Sequence, residues 1–251
     1  MITDPLFYAF AIPAVLILGI SKSGFGSAFG SLAVPLIALT ITVPQATAIL
    51  LPVLFVMDML GLKAYWGQAD WTLLKRIMPA GLVGIALGFL LFKQVDTKWV
   101  GALVGATGIA FVGLRAWQTK RAGADTPAYT APTWVAWLCA STSGFTSFVA
   151  HAGGPPLGIY TIPLKMPPVN FVASMTVFFA VINLAKWVPY AQLGLLSREN
   201  VLTSLVLIAF APIGNWIGLR IANTIDLKLF YRIVNVALIA TGIKLIVDAF
   251  R

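Results

Sequence analysis

Long apolar runs follow one another along the whole chain, each bounded by proline, glycine or charge. Their limits predict helices over Leu6 to Ile20, Ala28 to Thr40, Pro44 to Tyr65, Trp71 to Phe92 and Trp99 to Trp117. A polar stretch, Gln118 to Pro132, interrupts the pattern with Lys120, Arg121, Asp125 and two prolines. The apolar runs then resume over Trp134 to Ala150, Pro156 to Leu164, Val169 to Tyr190, Arg198 to Ala222 and Leu227 to Phe250. Alternation of period two is absent, so the runs read as helices rather than strands. Each side of the polar stretch carries two short elements followed by three long ones. The first run has Asp4 ahead of it and no Lys or Arg, so it reads as a retained helix rather than a signal peptide.

The two sides also match residue by residue. Ser21 to Pro35 (SKSGFGSAFGSLAVP) aligns without gaps on Ser141 to Pro155 (STSGFTSFVAHAGGP), with six of fifteen positions identical. Pro44 and Pro168, then Pro79 and Pro212, follow in order, and Ala106-Thr107-Gly108-Ile109 recurs as Ala240-Thr241-Gly242-Ile243. An ordered series of this kind indicates internal duplication. The expected organisation is a first transmembrane repeat over 1–117, a polar linker over 118–132 and a second repeat over 133–251.

Composition changes the picture from helical to membrane-embedded. Hydrophobic residues make up 59% of the 251 positions and charged residues 10%, and the mean hydropathy is +0.92. Too little polar surface remains to face water, and in lipid only helices or closed barrels satisfy every backbone group. The expected fold is therefore an all-α polytopic membrane protein of about eight spans in two homologous halves. Each half would hold a broken or re-entrant short-helix pair plus three long transmembrane helices.

Seventeen Lys and Arg against eight Asp and Glu give a net charge of +9. The basic residues fall mainly in short connections, such as Lys75-Arg76, Lys120-Arg121 and Arg198, as orientation signals and anionic-lipid contacts do. Nucleic acid is not an expected partner. Cys139 is the single cysteine, which excludes an intrachain disulfide. Trp66, Trp71, Trp99, Trp117, Trp134 and Trp187 lie near helix ends and read as interfacial anchors.

The candidate chemistry sits where the repeats match. Ser21, Lys22, Ser23, Gly24, Gly26 and Ser27 place hydroxyls, an ammonium and helix-breaking glycines inside an otherwise apolar stretch. A broken helix frees backbone N–H groups that hydrocarbon cannot satisfy, and such breaks attract anions. The two flanking segments rise only about 22 and 20 Å, too short for a bilayer, which favours a re-entrant hairpin or two short tilted helices. The matching second-half residues are Thr142, Ser143, Gly144, Thr146 and His151, and Gly153-Gly154-Pro155 competes with Gly144 for the break. Lys22 is either a substrate contact or a lysine snorkelling to the interface. Asp58, alone among acidic residues well inside a long apolar helix, reads as a partner for Lys22, a proton carrier or a structural ion-pair member. His151 reads as a proton shuttle, an anion donor or a packing residue. Asn183 falls near the second-half position matching Asp58 and joins Asp58 and His151 as a coupling candidate, while Lys63 and Lys186 read as interfacial.

These features resemble the sulfite exporter TauE/SafE family, also called toluenesulfonate uptake permeases, over nearly the whole chain. The resemblance rests on the Gly/Ser-rich break leading to Val34-Pro35, on Gly153-Gly154-Pro155-Pro156 in the duplicated half, and on the central polar loop. It implies ATP-independent transport of a small anion of the sulfite, sulfonate or thiosulfate class across the bacterial cytoplasmic (inner) membrane. Lipid is then the surrounding partner, no cofactor or metal is expected, and a homodimer is left open. The breaks are not equivalent, with Lys22 opposite Thr142 and Ser31 opposite His151, which implies an asymmetric site. A passive anion channel and an intramembrane hydrolase are the alternatives. Ser143 with His151 lacks both a nucleophile elbow and an orienting acid.

Overall fold

The computed structural model describes residues 1–25, 30–92, 94, 96–121, 131–221 and 227–250. Among them the regular structure is helical. The α-helices are α1 (Pro5–Phe25), α2 (Ala33–Ile37), α3 (Val43–Ala64), α4 (Trp71–Phe92), α5 (Thr97–Arg121) and α6 (Thr133–Ala150). They continue as α7 (Gly154–Thr161), α8 (Pro168–Gln192), α9 (Arg198–Ile208), α10 (Ala211–Ile221) and α11 (Leu227–Ala249). Short 3-10 turns, Gly30–Leu32 and Ile162–Leu164, precede α2 and follow α7.

Among the described residues five segments are long and apolar enough to cross a bilayer: Pro5–Ser23, Val43–Ala64, Trp71–Phe92, Pro168–Gln192 and Arg198–Arg220. The last is α9 and α10 together, parted at Ala209-Phe210. Pro212, which has no N–H for the carbonyl one turn earlier, lies just beyond the parting. Local signals set other boundaries. The Thr42 hydroxyl accepts from the Gln45 N–H at the start of α3, next to Pro44, and Ser197 accepts from the Asn200 N–H at the start of α9.

Two expected limits are corrected and one open alternative is decided. α1 does not stop at Ile20 but runs to Phe25, so its 21 residues rise about 31 Å, and the residues 26–29 that follow lie outside the described residues. Ser21, Lys22, Ser23 and Gly24 belong to its last turns. In the second half the interruption is at His151 to Gly153, not at Gly144, because Pro155 and Pro156 suit the opening turn of α7. The polar stretch begins later than Gln118, since α5 continues to Arg121. α2 packs on α1, and α7 packs on α6.

The helices pair across the sequence. α4 lies along α6, α1 along α10, and α5 along α11, while α3 packs against α8 and α9. Small residues make the closest crossings. A Cβ at Gly84 would run into the Ser141 carbonyl oxygen, and one at Gly144 into that of Gly81. At the α1–α10 crossing a Cβ on Gly19 would lie 2.8 Å from the Gly214 carbonyl carbon. Backbone-to-backbone approach of this kind holds membrane helices together where lipid offers no hydrophobic drive. Trp66, Trp71, Trp99 and Trp134 are exposed, as anchors should be. Trp187 is not an anchor of that type. It is partly buried, stacked edge-on against Phe55 at 6.0 Å, and its indole N–H has no partner among the described residues.

Candidate functional site

Four helices converge on one buried cluster of polar side chains. Asp58 lies on the stripe Leu54, Met57, Asp58, Gly61 of α3, all buried. Ile182, Asn183, Lys186 and Tyr190 form the corresponding stripe of α8. Lys22 comes from the last turn of α1, and His151 closes α6. His151 has a left-handed backbone, with φ of 51°, which a non-glycine residue adopts only where its surroundings hold it.

Lys22 and Asp58 form a buried ion pair through Nζ and Oδ1. Asn183 Nδ2 donates to the other carboxylate oxygen, Oδ2, at 2.7 Å. Beside this pair, Lys186 is 0% exposed. Its Nζ donates to the Ser147 carbonyl at 3.0 Å, to Ser147 Oγ at 3.1 Å and to His151 Nδ1 at 2.7 Å. Three acceptors match the three protons of an ammonium. His151 Nε2 stands 2.9 Å from the Thr47 carbonyl. Only a donor fits beside a carbonyl and only an acceptor beside an ammonium, so the imidazole is neutral with its hydrogen on Nε2. The buried cluster therefore sets two ammonium groups against one carboxylate.

A cavity of about 20 Å³ lies among Lys22, Ser147, His151, Asn183, Leu18 and Leu54. That is room for a water and not for a larger anion. On the other side of the second interruption a cavity of about 200 Å³ is lined by Ser31, Thr107, Thr142 and Thr146 together with Phe111 and Pro155. The buried Ser31 hydroxyl has no partner among the described residues.

The structure thus joins Lys22, Asp58, Asn183 and His151 and separates the other candidates. Ser23 Oγ bonds back to the Gly19 carbonyl at 2.9 Å, and its own carbonyl accepts from the Tyr65 hydroxyl at 2.8 Å. Ser21 is buried in α1, and Gly24 is a residue of its last turn. Gly26 and Ser27 lie outside the described residues. Gly144 serves the crossing with α4. Ser143 Oγ donates to the Gly153 carbonyl at 2.6 Å, and Thr146 Oγ1 to the Ala152 carbonyl at 3.0 Å, so both pin the interrupted backbone. Thr142 is exposed and supplies a carbonyl to Thr146 at 2.9 Å. Lys63 is exposed, in keeping with an interfacial position. Lys186 is the correction: it is the most enclosed charge in the cluster, and with Ser147 and Thr47 it was not among the expected site residues. Its spacing of three from Asn183 on an apolar face was the available signal.

Ser143→Ala leaves the Gly153 carbonyl without its side-chain donor. The expected cost is about 1–3 kcal/mol of stability with little change in anion affinity, read as a lower melting temperature of the purified protein. An unchanged melting temperature with weakened binding would move Ser143 into the binding site.

Buried charges lining breaks in an apolar helical bundle define a membrane protein of the transporter class. Residues 11–245 match the family model for the sulfite exporter TauE/SafE. The chain belongs to that family. Comparison with curated proteins and with solved structures gives no match.

Proposed function

We propose that this protein is a secondary transporter that moves a small sulfur-containing anion, sulfite or an organosulfonate, across the bacterial cytoplasmic membrane. The anion binds against Lys22 and Lys186, with Asn183 and His151 beside it. The observation that carries this reading is a pair of buried lysines, Lys22 and Lys186, beside a single carboxylate where α1, α3, α6 and α8 meet; with both amino groups protonated the cluster has one positive charge in excess. A low-dielectric interior makes an unbalanced cation costly, and an anion relieves that cost.

The helix pairing supports duplicated halves. The match of α1 with α6 and of α4 with α9 and α10 turns the α1–α10 contact into the α6–α4 contact, and α3–α8 and α5–α11 into themselves. A pseudo-twofold relation through the cluster would exchange α1 with α6 and α3 with α8, the helices that supply its side chains. A cavity of only about 20 Å³ at the cluster favours a carrier over an open channel.

Purified protein in liposomes tests the function: a proton gradient should drive accumulation of labelled sulfite or methanesulfonate above the external concentration. Flux that only runs downhill would make the protein a channel. Lys186→Met removes the excess charge while filling its volume. Affinity should fall by about 1.5–3 kcal/mol, roughly ten- to over a hundred-fold, with the protein still folded. Wild-type affinity in a folded Lys186→Met would remove Lys186 from the site.

A further inference from the structure

The buried cluster does more than attract an anion; its charge count distinguishes anions of different valence. Lys22 and Lys186 contribute two positive charges and Asp58 one negative, with His151 neutral by its hydrogen bonds. A monovalent anion brings this interior to neutrality with Asp58 still ionised. A divalent anion leaves one negative charge in excess, in an interior where unbalanced charge is expensive. Among the described groups Asp58 is the one carboxylate in the cluster, and so the one that can cancel the excess by taking a proton.

We propose that the valence of the bound anion sets the proton count of each binding event, a divalent anion entering with one proton more than a monovalent one, and that Asp58 receives that proton. The proposal rests on the anion site described above and adds its coupling rule. The proton comes from the aqueous phase, forms an O–H bond at the carboxylate, and returns to water from the same oxygen when the anion leaves. Protonation cancels the charge that Lys22 was paired with, so the ammonium is free to turn to the incoming anion. Asn183 keeps its hold on the second oxygen and fixes the orientation of the carboxyl group.

The groups around Asp58 on each neighbouring helix support assigning the proton there. α1 contributes Lys22, α8 contributes Asn183 and Lys186, and the end of α6 contributes His151. On α9 and α10, which also pack on α3, the charged residues Arg198, Glu199 and Arg220 are exposed. Lys63 on α3 itself is exposed, and α2 has no titratable side chain. The charged side chains of α5, namely Lys98, Arg115, Lys120 and Arg121, lie outside the described side chains. His151 already donates from Nε2 and accepts at Nδ1 from an ammonium. A second proton on Nδ1 would set two cations against each other, which leaves the carboxylate as the cheaper acceptor.

The test is titration calorimetry of the whole protein with thiosulfate, a dianion, and methanesulfonate, a monoanion, neither of which titrates near neutral pH. Repeating each titration in two buffers of different ionisation enthalpy gives the number of protons taken up per anion. Thiosulfate should take up one proton more than methanesulfonate. In Asp58→Asn the uptake with thiosulfate should fall by one while binding persists, because the variant presents two ammonium groups and no carboxylate. Equal uptake of protons with the two anions in the wild-type protein overturns the coupling rule and leaves the anion site standing. Failure of both anions to bind overturns the site itself. If thiosulfate alone binds, uptake below one proton overturns the rule; if methanesulfonate alone binds, the rule fails because a dianion cannot be compensated. Should Asp58→Asn not fold, the wild-type comparison decides alone.

Discussion

Asp58→Ala is expected to lower the free energy of unfolding by about 3–5 kcal/mol, because it leaves the Lys22 ammonium buried without its counter-charge. Asn183 loses its acceptor in the same step. Pairing the change with Lys22→Met, as Lys22→Met with Asp58→Leu, removes both charges and keeps the volume, so most of the lost stability should return. The double variant should nevertheless bind anions poorly. Melting of the detergent-purified proteins distinguishes these outcomes, with Asp58→Ala lower by on the order of ten degrees. An Asp58→Ala protein that melts with the wild type would mean that Lys22 reaches water, and the buried pair would lose its place in the transport scheme.

The second large effect concerns packing. Gly84→Leu should yield little folded, monodisperse protein, because the first carbon of the new side chain already collides with the Ser141 carbonyl and the Phe145 amide of α6. Neither neighbour is a flexible side chain that could move aside. Gly84→Ala should itself cost more than the usual 1–3 kcal/mol or so of core overpacking, since α4 and α6 must separate along their length. Gly113→Ala is the control: nothing lies within 4 Å of a Cβ there, and alanine favours helix. Size-exclusion profiles after heating would report all three. A Gly84→Ala protein as heat-resistant as Gly113→Ala would show that α4 and α6 are not in backbone contact.

Much of this architecture was legible in the sequence because lipid demands helices. Trp71 to Phe92 is recovered without change, and most other long helices begin or end within two residues of their expected limits. The interruptions were harder. Ser21, Ser23 and Gly24 suggested a break by composition, yet a serine can satisfy its hydroxyl on a carbonyl of its own helix, as Ser23 does, and then breaks nothing. Arg198 to Ala222 read as one helix because Pro212 stands in a hydrophobic run as Pro79 does. Pro79 lies inside an unbroken α4 whereas Pro212 follows a break, and the sequence around them does not explain the difference.

At the site, the pairing of Lys22 with Asp58 followed from the cost of a lone charge in an apolar helix. Lys186 was misplaced for a related reason. A lysine six residues from a helix end can snorkel to the interface or point inward, and periodicity fixes its face but not which neighbour covers that face. Only tertiary contact with Ser147 and His151 decides it. The roles of Ser143 and Thr146 were hidden likewise, since their acceptors belong to a loop whose path no local signal specifies.

The crossed pairing of helices also constrains how the chain can be made. Synthesis delivers α1 first, yet the partner it lies along, α10, is formed by Ala211–Ile221 near the other end. Until then the glycine face of α1 meets lipid or the insertion machinery rather than Gly214. Asp58 arrives sooner, 36 residues after Lys22, and can neutralise that lysine while the rest of the protein is still missing. The ion pair is thus also an early means of keeping a charged first helix in the membrane. Contacts of such long sequence separation close late, so the docking of α10 onto α1 belongs to the last part of assembly, with that of α11 onto α5.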